Sequence, residues 1–304
     1  MENIVVMMTL FVIVIVGYMA GKLGYMGGDF DKRLSNLVID ITCPSLILSS
    51  TMDGTLPDRE MILPLLGISL ITYILLAVVA LVFPRYITRN ADDRGVVGFA
   101  LMFGNVGFIG YPVVASIFGH QAVFYAAVLN VVNTFAVFTI GTMLVMGGKG
   151  EYRFHKKVLW STPMLAAYLA MLIVAFDIDN VPRVVSQPLA TIGAITVPAA
   201  LLIIGSSLSR LSVRTMLGNR TVYVTSMFRL GLLPMGLHYL FTALGCFSPL
   251  VASINTVVIA MPVATYGTIL CLKHGRDTTL ITELTFITTL LSVLTIPLVA
   301  MLLI

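Results

Sequence analysis

Long apolar runs of about 20 residues each follow one another along the whole chain. A run of that length crosses roughly 30 Å of hydrocarbon as an α-helix. The alternating segments typical of outer-membrane barrels do not occur. We therefore predict an all-α polytopic membrane protein with ten transmembrane helices, at residues 4–20, 34–50, 61–83, 95–118, 121–146, 158–176, 184–208, 221–241, 251–272 and 278–303.

Basic residues divide unequally between the loops on the two sides of these spans. Of the 18 Lys and Arg residues, fifteen fall in loops on one side, Arg59 and Arg183 fall on the other, and Arg229 lies within a span. Cytoplasmic loops of membrane proteins are enriched in Lys and Arg. We therefore predict a location in the cytoplasmic (inner) membrane, with both termini on the outer side.

The overall composition agrees with a membrane protein and excludes several classes of function. Charged residues make up 11% of the chain and hydrophobic residues 58%, with a mean hydropathy of +1.01. The net charge of +4 comes from loops, which predicts contact with anionic membrane lipid rather than with nucleic acid. Cys43, Cys246 and Cys271 show no metal-binding or redox spacing, so neither metal nor cofactor is expected.

A glycine-rich stretch, GNVGFIGYP at residues 104–112, interrupts the fourth predicted span. Its glycines have maximal backbone freedom and Pro112 lacks an N–H, so we predict that the helix breaks there. Residues 255–267, around Pro262, interrupt the ninth span in the same way. Unwound backbone is tolerated within a membrane only where it is buried in protein or lines a cavity. Two such breaks in matching positions are typical of the binding site of a secondary transporter.

The two halves of the chain carry a weak internal repeat. Three pairs of residues align with similar offsets of 154, 150 and 156, namely Pro44 with Pro198, Pro112 with Pro262, and Gly119 with Gly275. Because each half holds five predicted spans, an odd number, the second half enters the membrane in the opposite sense. We therefore predict two inverted five-helix repeats, at residues 1–148 and 158–304, joined by a cytoplasmic loop at residues 149–157.

Three motifs resemble those of bacterial members of the auxin efflux carrier family, and the likeness covers essentially the whole chain. They are TCPSLI at residues 42–47, GNVGFIGYP at residues 104–112, and Arg229-Leu230 with Pro234. The resemblance implies a fold shared with bile-acid symporters and sodium/proton antiporters, in which broken helices four and nine cross near the midplane. It also implies that spans 3–5 and 8–10 form a transport domain that moves, elevator-like, against a scaffold of spans 1, 2, 6 and 7. The resemblance further implies scaffold-mediated homodimers and small organic anions as substrates, among them malate, malonate and indole-3-acetate.

The two breaks also predict the chemistry of the binding site. A half-helix that starts at a break presents free N–H groups and the positive end of its dipole, which suits an anion. We predict that half-helices starting near Pro112 and Pro262 bind a carboxylate. The predicted substrate contacts are Asn105, Gly107, Gly110, Tyr111, Pro112, Asn255, Pro262, Thr265, Tyr266 and Arg229.

Alternatives remain open for several of these residues. Asn105 and Asn255 each precede a proline by seven residues, and this symmetry favours a shared role. The alternative for Asn105 is a structural cap of the broken helix end. Core packing explains Tyr111, Tyr266 and Thr265 about as well as contact with a substrate does.

Ionisable residues within the spans are the candidates for coupling, because an unpaired charge in a bilayer is costly. We hypothesise that Arg229 pairs with Glu283, and that protonation of Glu283 frees Arg229 for an anionic substrate. The alternative is a permanent structural pair. Asp40, one helical turn before Pro44, is a second candidate proton carrier, with a local hydrogen bond to the kinked backbone as its alternative.

The remaining assignments concern the walls of the cavity and the other function classes. Pro44, Ser45 and Pro198 are predicted on the scaffold side of the cavity, whereas His238 is assigned to packing. An intramembrane enzyme is disfavoured because HExxH and GxSxG motifs are absent, and a channel because no repeated filter motif occurs. A sodium-coupled symporter or a cation/proton antiporter on the same fold remains an alternative, since Asn, Thr and backbone carbonyls suffice to bind sodium.

Overall fold

The computed structural model of this chain describes residues 2–52, 56–147, 159–210 and 220–303, and the fold there is all-helical. Apart from one isolated bridge, these residues contain no β-structure. The helices of the first half are α1 Glu2–Lys22, α2 Gly28–Leu37, α3 Cys43–Ser49, α4 Ile62–Val82, α5 Pro84–Ile87, α6 Arg94–Met102, α7 Tyr111–Phe118, α8 Ala122–Ala136 and α9 Thr142–Met146. The helices of the second half are α10 Thr162–Ala175, α11 Arg183–Gly193, α12 Thr196–Ser209, α13 Arg220–Met227, α14 Leu233–Leu244, α15 Pro249–Ile259, α16 Tyr266–Lys273 and α17 Thr279–Leu303.

Several helices are continued by five-residue π-helical turns, in which each hydrogen bond spans one residue more than in an α-helix. These turns are Val38–Thr42, Val106–Gly110, Val137–Gly141 and Phe228–Leu232. Three of them end two residues before a proline, at Pro44, Pro112 and Pro234. Proline lacks an N–H and its ring displaces the carbonyl four residues earlier, so a wider turn relieves the clash. Such turns are rare in proteins overall, and those that occur are often found at functional sites.

Five of the described helical segments are long and apolar enough to cross a membrane. They are Arg59–Ile87, Ala122–Met146, Arg183–Ser209, Arg220–Leu244 and Thr279–Leu302. The other apolar helices are shorter, and they include Val106–Phe118 and Pro249–Ile259 beside the two breaks. The all-helical fold with interrupted segments is therefore confirmed. The count of ten spans and the inverted repeat remain predictions.

The chain divides into two compact units. The first unit comprises the described residues within Met1–Leu63, Val106–Val128 and Leu159–Ser212. The second comprises those within Pro64–Asn105, Leu129–Val158 and Val213–Ile304. The predicted connecting loop at residues 149–157 lies outside the described residues, and the predicted assignment of spans to scaffold and transport domain stays a prediction.

Close backbone packing holds the first unit together. Helices α1 and α12 approach so closely that a Cβ added at Gly17 would overlap the backbone of Leu202, and one at Gly205 would overlap the carbonyl of Val14. Small residues are typical where helices meet in membranes, because little hydrophobic driving force remains there and close van der Waals contact stabilises the pair. Val38 forms a buried apolar cluster with Ala199 and Ile203 of α12.

One buried carboxylate ties together the α2 and α12 ends of the first unit. Asp31 is 5% exposed, and its Oδ2 accepts hydrogen bonds from Ser206 Oγ at 2.7 Å and from Arg210 Nη2 at 2.6 Å. Its Oδ1 accepts a third bond from the backbone N–H of Gly27 at 3.0 Å. Because both oxygens are bonded and the charge is paired, this buried carboxylate is accommodated without a ligand.

Aromatic residues fill the centre of the second unit. Phe103, just past the end of α6, stacks on Tyr73 of α4 with ring centroids 6.1 Å apart, and its ring lies 5.0 Å from that of Phe99. All three side chains are buried. They pack directly beside the point at which α6 stops, so the broken end is held by a well-packed core.

Candidate substrate-binding site

The two predicted breaks lie in the second unit and pair with each other. Helix α6 ends at Met102 and α15 ends at Ile259. Asn105 N donates to the carbonyl of Pro262 at 2.8 Å, and Ala264 N donates to the carbonyl of Phe103 at 3.1 Å. These two bonds make an antiparallel bridge between Gly104 and Val263. The interruption of both segments is therefore confirmed, and the bridge satisfies backbone groups that would be costly to leave unpaired.

Arg229 lies at this bridge and is bound by backbone carbonyls. Its Nε donates to the carbonyl of Met261 at 3.1 Å, and its Nη1 donates to those of Leu101 at 3.1 Å and Met102 at 3.3 Å. The residue is 1% exposed. Leu101 and Met102 end α6, and Met261 follows the end of α15. One guanidinium thus bonds to three carbonyls, two at the end of α6 and one just past the end of α15.

Gly104 leaves the space that this guanidinium occupies. A Cβ added at Gly104 would overlap Nη2 of Arg229 and would lie 3.2 Å from both Cβ and the carbonyl oxygen of Met261. The absence of a side chain at residue 104 is therefore a steric requirement of the Arg229 site. The sequence had indicated backbone freedom as the only role of Gly104.

The hypothesis that Arg229 pairs with Glu283 is wrong. Among the described residues, Arg229 takes part in no ion pair, and Glu283 lies half-buried elsewhere on α17. The physical reason is that the two helix ends already supply three carbonyl acceptors, so the guanidinium is accommodated without a carboxylate. Contact of Arg229 with substrate stays a prediction.

The two asparagines occupy unlike positions. Asn105 follows the end of α6, and its backbone forms the bridge. Asn255 lies within α15, is 2% exposed, and donates from Nδ2 to Thr72 Oγ1 at 3.0 Å. The two asparagines therefore differ in structural environment although each lies seven residues before a proline. The reason is that Pro112 lies within the first turn of α7, whereas Pro262 lies in the extended segment before α16.

Two threonines that were not predicted from the sequence support the second break. Thr72 of α4 accepts the bond from Asn255, and Thr288 of α17 accepts a bond from the backbone N–H of Val263 at 3.0 Å. Both are fully buried. Thr288 belongs to a run of hydroxyl residues at helical spacing, with Thr285, Thr289 and Ser292. That polar stripe on an otherwise apolar helix is the signal that would have identified it.

His238 packs beside the same helix rather than in the break. Its Nδ1 lies 3.1 Å from Oγ1 of Thr256, the residue after Asn255. The ring is partly buried. This contact agrees with the assignment of His238 to packing.

The start of α16 is the most accessible part of the paired breaks. Thr265 is exposed and Tyr266, the first residue of the helix, is half-buried. The Tyr266 ring packs edge-on against Phe138, with centroids 4.7 Å apart and an interplanar angle of 73°. Pro262 is buried. Gly267 N and Thr268 N in the first turn of α16 already donate to the carbonyls of Ala264 and Thr265, so an anion near Thr265 would meet chiefly the positive end of the helix dipole.

The remaining residues of the GNVGFIGYP stretch lie in the first unit. Tyr111 begins α7 and is 1% exposed, Pro112 follows it, and Gly110 is buried. Gly107 lies in the π-turn before them, where its carbonyl accepts a weak bond from Cys43 Sγ at 3.6 Å. Their contact with substrate stays a prediction.

The predicted coupling and cavity residues of the first unit differ in exposure. Asp40 is exposed within its π-turn. Pro44 and Ser45 are buried, and Ser45 Oγ donates to the carbonyl of Ile41 at 2.8 Å, whereas Pro198 is exposed. The Ser45 hydroxyl thus bonds to a carbonyl near the proline-induced turn, which is a structural task.

Comparison with known proteins places the chain in a family. Residues 3–300 match the sequence profile of a family described as "Membrane transport protein". The chain belongs to this family, the auxin efflux carrier family. It is similar to an uncharacterized transporter from Methanothermobacter thermautotrophicus, with 27% identity over 302 residues, covering 96% of this chain and 95% of the relative. It is also similar to an uncharacterized transporter from Methanocaldococcus jannaschii, with 26% identity over 301 residues and 96% of each chain covered.

Family membership and the apolar helices together identify a multi-pass membrane transporter. The family resemblance drawn from the sequence motifs is thereby confirmed. For a member of the auxin efflux carrier family, paired helix breaks around a buried Arg are the natural candidate for the substrate site, because irregular backbone within a membrane occurs where it is buried in protein or lines a cavity.

Proposed function

We propose that this auxin efflux carrier family member is a secondary active transporter of small organic anions that carry a carboxylate, such as malate, malonate or an auxin-like monocarboxylate. In this proposal it works by elevator-type alternating access, as a homodimer in the cytoplasmic membrane with both termini on the outer side. The observation that carries the substrate class is the position of Arg229 against the carbonyl ends of α6 and α15.

The charge balance at the breaks supports an anionic substrate. Each helix C-terminus carries about half a negative charge, and its N-terminus about half a positive charge. Arg229 offsets the negative ends of α6 and α15, so they no longer oppose an anion near the bridge. The positive N-terminal end of α16 lies beside exposed Thr265. Its partial charge is then not offset by the negative ends of α6 and α15. A carboxylate there gains the favourable dipole of the helix N-terminus.

The proposed architecture is ten spans in two inverted five-helix repeats, with broken helices four and nine crossing near the midplane. Two helical segments that follow the breaks support it: Val106–Phe118, in which a π-turn continues into α7, and α16. Each is followed by a glycine of positive φ, Gly119 at 88° and Gly275 at 61°.

A proton is the proposed coupling ion, with Asp40 and Glu283 as the candidate carriers. Both carboxylates lie in helical segments of an apolar chain, where protonation removes a costly charge. Substitution of each by its amide, Asp40→Asn and Glu283→Gln, tests the assignment. Loss of stimulation by an imposed pH gradient, with exchange at equilibrium retained, is the result expected for a proton carrier.

Counterflow in proteoliposomes tests the substrate class. We expect purified protein to exchange internal malate or malonate for the radiolabelled anion, and Asn105→Ala to slow this exchange. Asn180→Ala is the matched control, because Asn180 is exposed and its Nδ2 donates to neighbouring Asp179. If neither dicarboxylates nor monocarboxylates exchange through correctly folded protein, the organic-anion proposal fails.

A further inference from the structure

The carbonyl oxygens around Arg229 form the kind of ligand set that binds a cation in ion-coupled carriers. In such proteins unwound backbone carbonyls and the C-terminal ends of half-helices coordinate sodium. Here the carbonyls of Leu101, Met102 and Met261 all accept hydrogen bonds from one guanidinium, Met261 from Nε and the other two from Nη1.

Hydrogen bonding and steric fit, as well as charge, hold the Arg229 side chain at this position. In an uninterrupted helix the Leu101 carbonyl would accept a bond from Asn105 N, but Asn105 N donates to Pro262 instead. Arg229 supplies the missing donor. Gly104, by lacking a Cβ, leaves room for Nη2. The bridge, the glycine and the arginine therefore depend on one another.

The charges at the two breaks compensate one another without a further ion. Two helix C-termini contribute about half a negative charge each, which together match the single positive charge of one guanidinium. No carboxylate within the described ranges of the chain forms an ion pair with Arg229. An additional cation at these carbonyls would face a buried like charge at close range, which is strongly unfavourable.

We infer that Arg229 is a built-in cation that occupies the carbonyl ligands a coupling sodium ion would need, so that this carrier binds no sodium at the paired breaks. The consequence for coupling, that transport is independent of sodium, rests on the proposed function. The consequence for cation binding does not, because it can be measured on the purified protein without any substrate.

The test compares the melting temperature Tm of the protein in detergent in sodium chloride and in choline chloride at equal ionic strength. Wild-type protein is expected to melt at the same temperature in both salts. In Arg229→Gln the carbonyls lose their cation, so its Tm in choline is lowered and sodium restores part of the loss, since a ligand that binds only the folded state stabilises it. Arg276→Gln is the matched control, because Arg276 contacts Asp92 at another place in the same unit. This control is expected to show no difference between the salts.

A second variant covers the case in which Arg229→Gln does not fold. Arg229→Lys retains the charge with a single donor group, so it is expected to be destabilised yet insensitive to sodium. A sodium-dependent Tm in wild type or in Arg229→Lys overturns the inference. It is also overturned if Arg229→Gln folds and responds to sodium no more than Arg276→Gln does.

Counterflow then separates this inference from the proposed function. Equal exchange of malate or malonate by wild-type protein in sodium and in choline is the expected result. Exchange that requires sodium contradicts the built-in cation. Absence of exchange in both salts contradicts the organic-anion proposal, while the melting experiments still decide whether Arg229 replaces a bound sodium ion.

Discussion

Thr196 donates a hydrogen bond to Thr42, with the two Oγ1 atoms 2.9 Å apart in the fully buried interior of the first unit. The two residues are separated by 154 positions, the same offset that aligns Pro44 with Pro198. A contact between equivalent residues of a two-fold repeat occurs where the symmetry axis passes between them. This bond is therefore the structural observation that most directly favours the predicted repeat.

Replacement of either threonine is expected to destabilise the first unit. Thr42→Val leaves the Thr196 hydroxyl without its acceptor and should cost about 1–3 kcal/mol in the free energy of unfolding. Thr196→Val should cost less, because Thr42 keeps its own bond to the Val38 carbonyl. Thermal melting of both variants and of the double variant checks this. If the double variant costs as much as the sum of the single ones, the two hydroxyls are not coupled.

Asn255 and Thr72 provide a similar test in the second unit. Thr72→Val leaves the buried Asn255 amide without its partner, so we expect a loss of about 1–3 kcal/mol and slower transport, since α15 leads into the break. Thr72→Ser keeps the hydroxyl and is the control. The measurement is Tm together with the counterflow rate. If Thr72→Val costs no more than Thr72→Ser, the hydrogen bond to Asn255 is not what the pair contributes.

Gly104→Ala is expected to destabilise the second unit by displacing the Arg229 guanidinium. The added Cβ overlaps Arg229 Nη2, and overpacking of this kind costs about 1–3 kcal/mol. Gly236→Ala is the matched control, because nothing lies within 4 Å of a Cβ there and a helical alanine is favoured over glycine.

The clash at Gly104 also predicts a compensating change. Because lysine has no Nη2, Gly104→Ala should cost less in an Arg229→Lys background than in wild type. The four melting temperatures of this cycle measure the coupling between residues 104 and 229. Strict additivity would show that the clash is with Met261, whose Cβ and carbonyl oxygen are also near.

The ion pairs of the first unit should differ sharply in their contribution to stability. Asp31→Ala removes a buried carboxylate that is bonded to Ser206, Arg210 and Gly27, and leaving the buried Ser206 hydroxyl without its acceptor costs about 1–3 kcal/mol. Asp177→Ala breaks the pair with Arg59, in which both side chains are 58% exposed, and should cost at most about 1 kcal/mol. Tm values of the two variants at one salt concentration test the difference, which vanishes if Asp31 is solvated in solution.

Asp277 predicts a pH dependence at the start of α17. Its exposed carboxylate accepts hydrogen bonds from Thr279 N at 2.9 Å and Thr279 Oγ1 at 2.8 Å, which lowers its pKa below the usual range for Asp. Because the folded-state pKa is depressed, its stabilising effect is complete above the ordinary pKa and is lost as the pH falls through the folded value. Melting curves across acidic pH should show a smaller decline for Asp277→Asn than for wild type.

Rules that act over short stretches of sequence were enough to predict the helical membrane fold, the helix breaks and the family. Apolar run length identifies membrane helices, because a helix must satisfy its own backbone groups in lipid. Glycine and proline act within a few residues of their own position, so the breaks after Met102 and Ile259 could be predicted from the sequence. The motifs around Pro44 and Pro112 likewise sufficed to recognise the family.

Only the tertiary structure decided which groups satisfy the broken ends. The carbonyls that receive Arg229 lie 128, 127 and 32 residues away in the chain, and Thr72 lies 183 residues from Asn255. No local pattern encodes such pairings, because they follow from how the helices pack. Sequence reasoning paired Arg229 with a carboxylate since opposite charges are the usual solution, whereas here helix dipoles and unwound backbone supply the acceptors. The sequence by itself determined where the helices fail, and the packing of distant helices determined what takes the place of their lost hydrogen bonds.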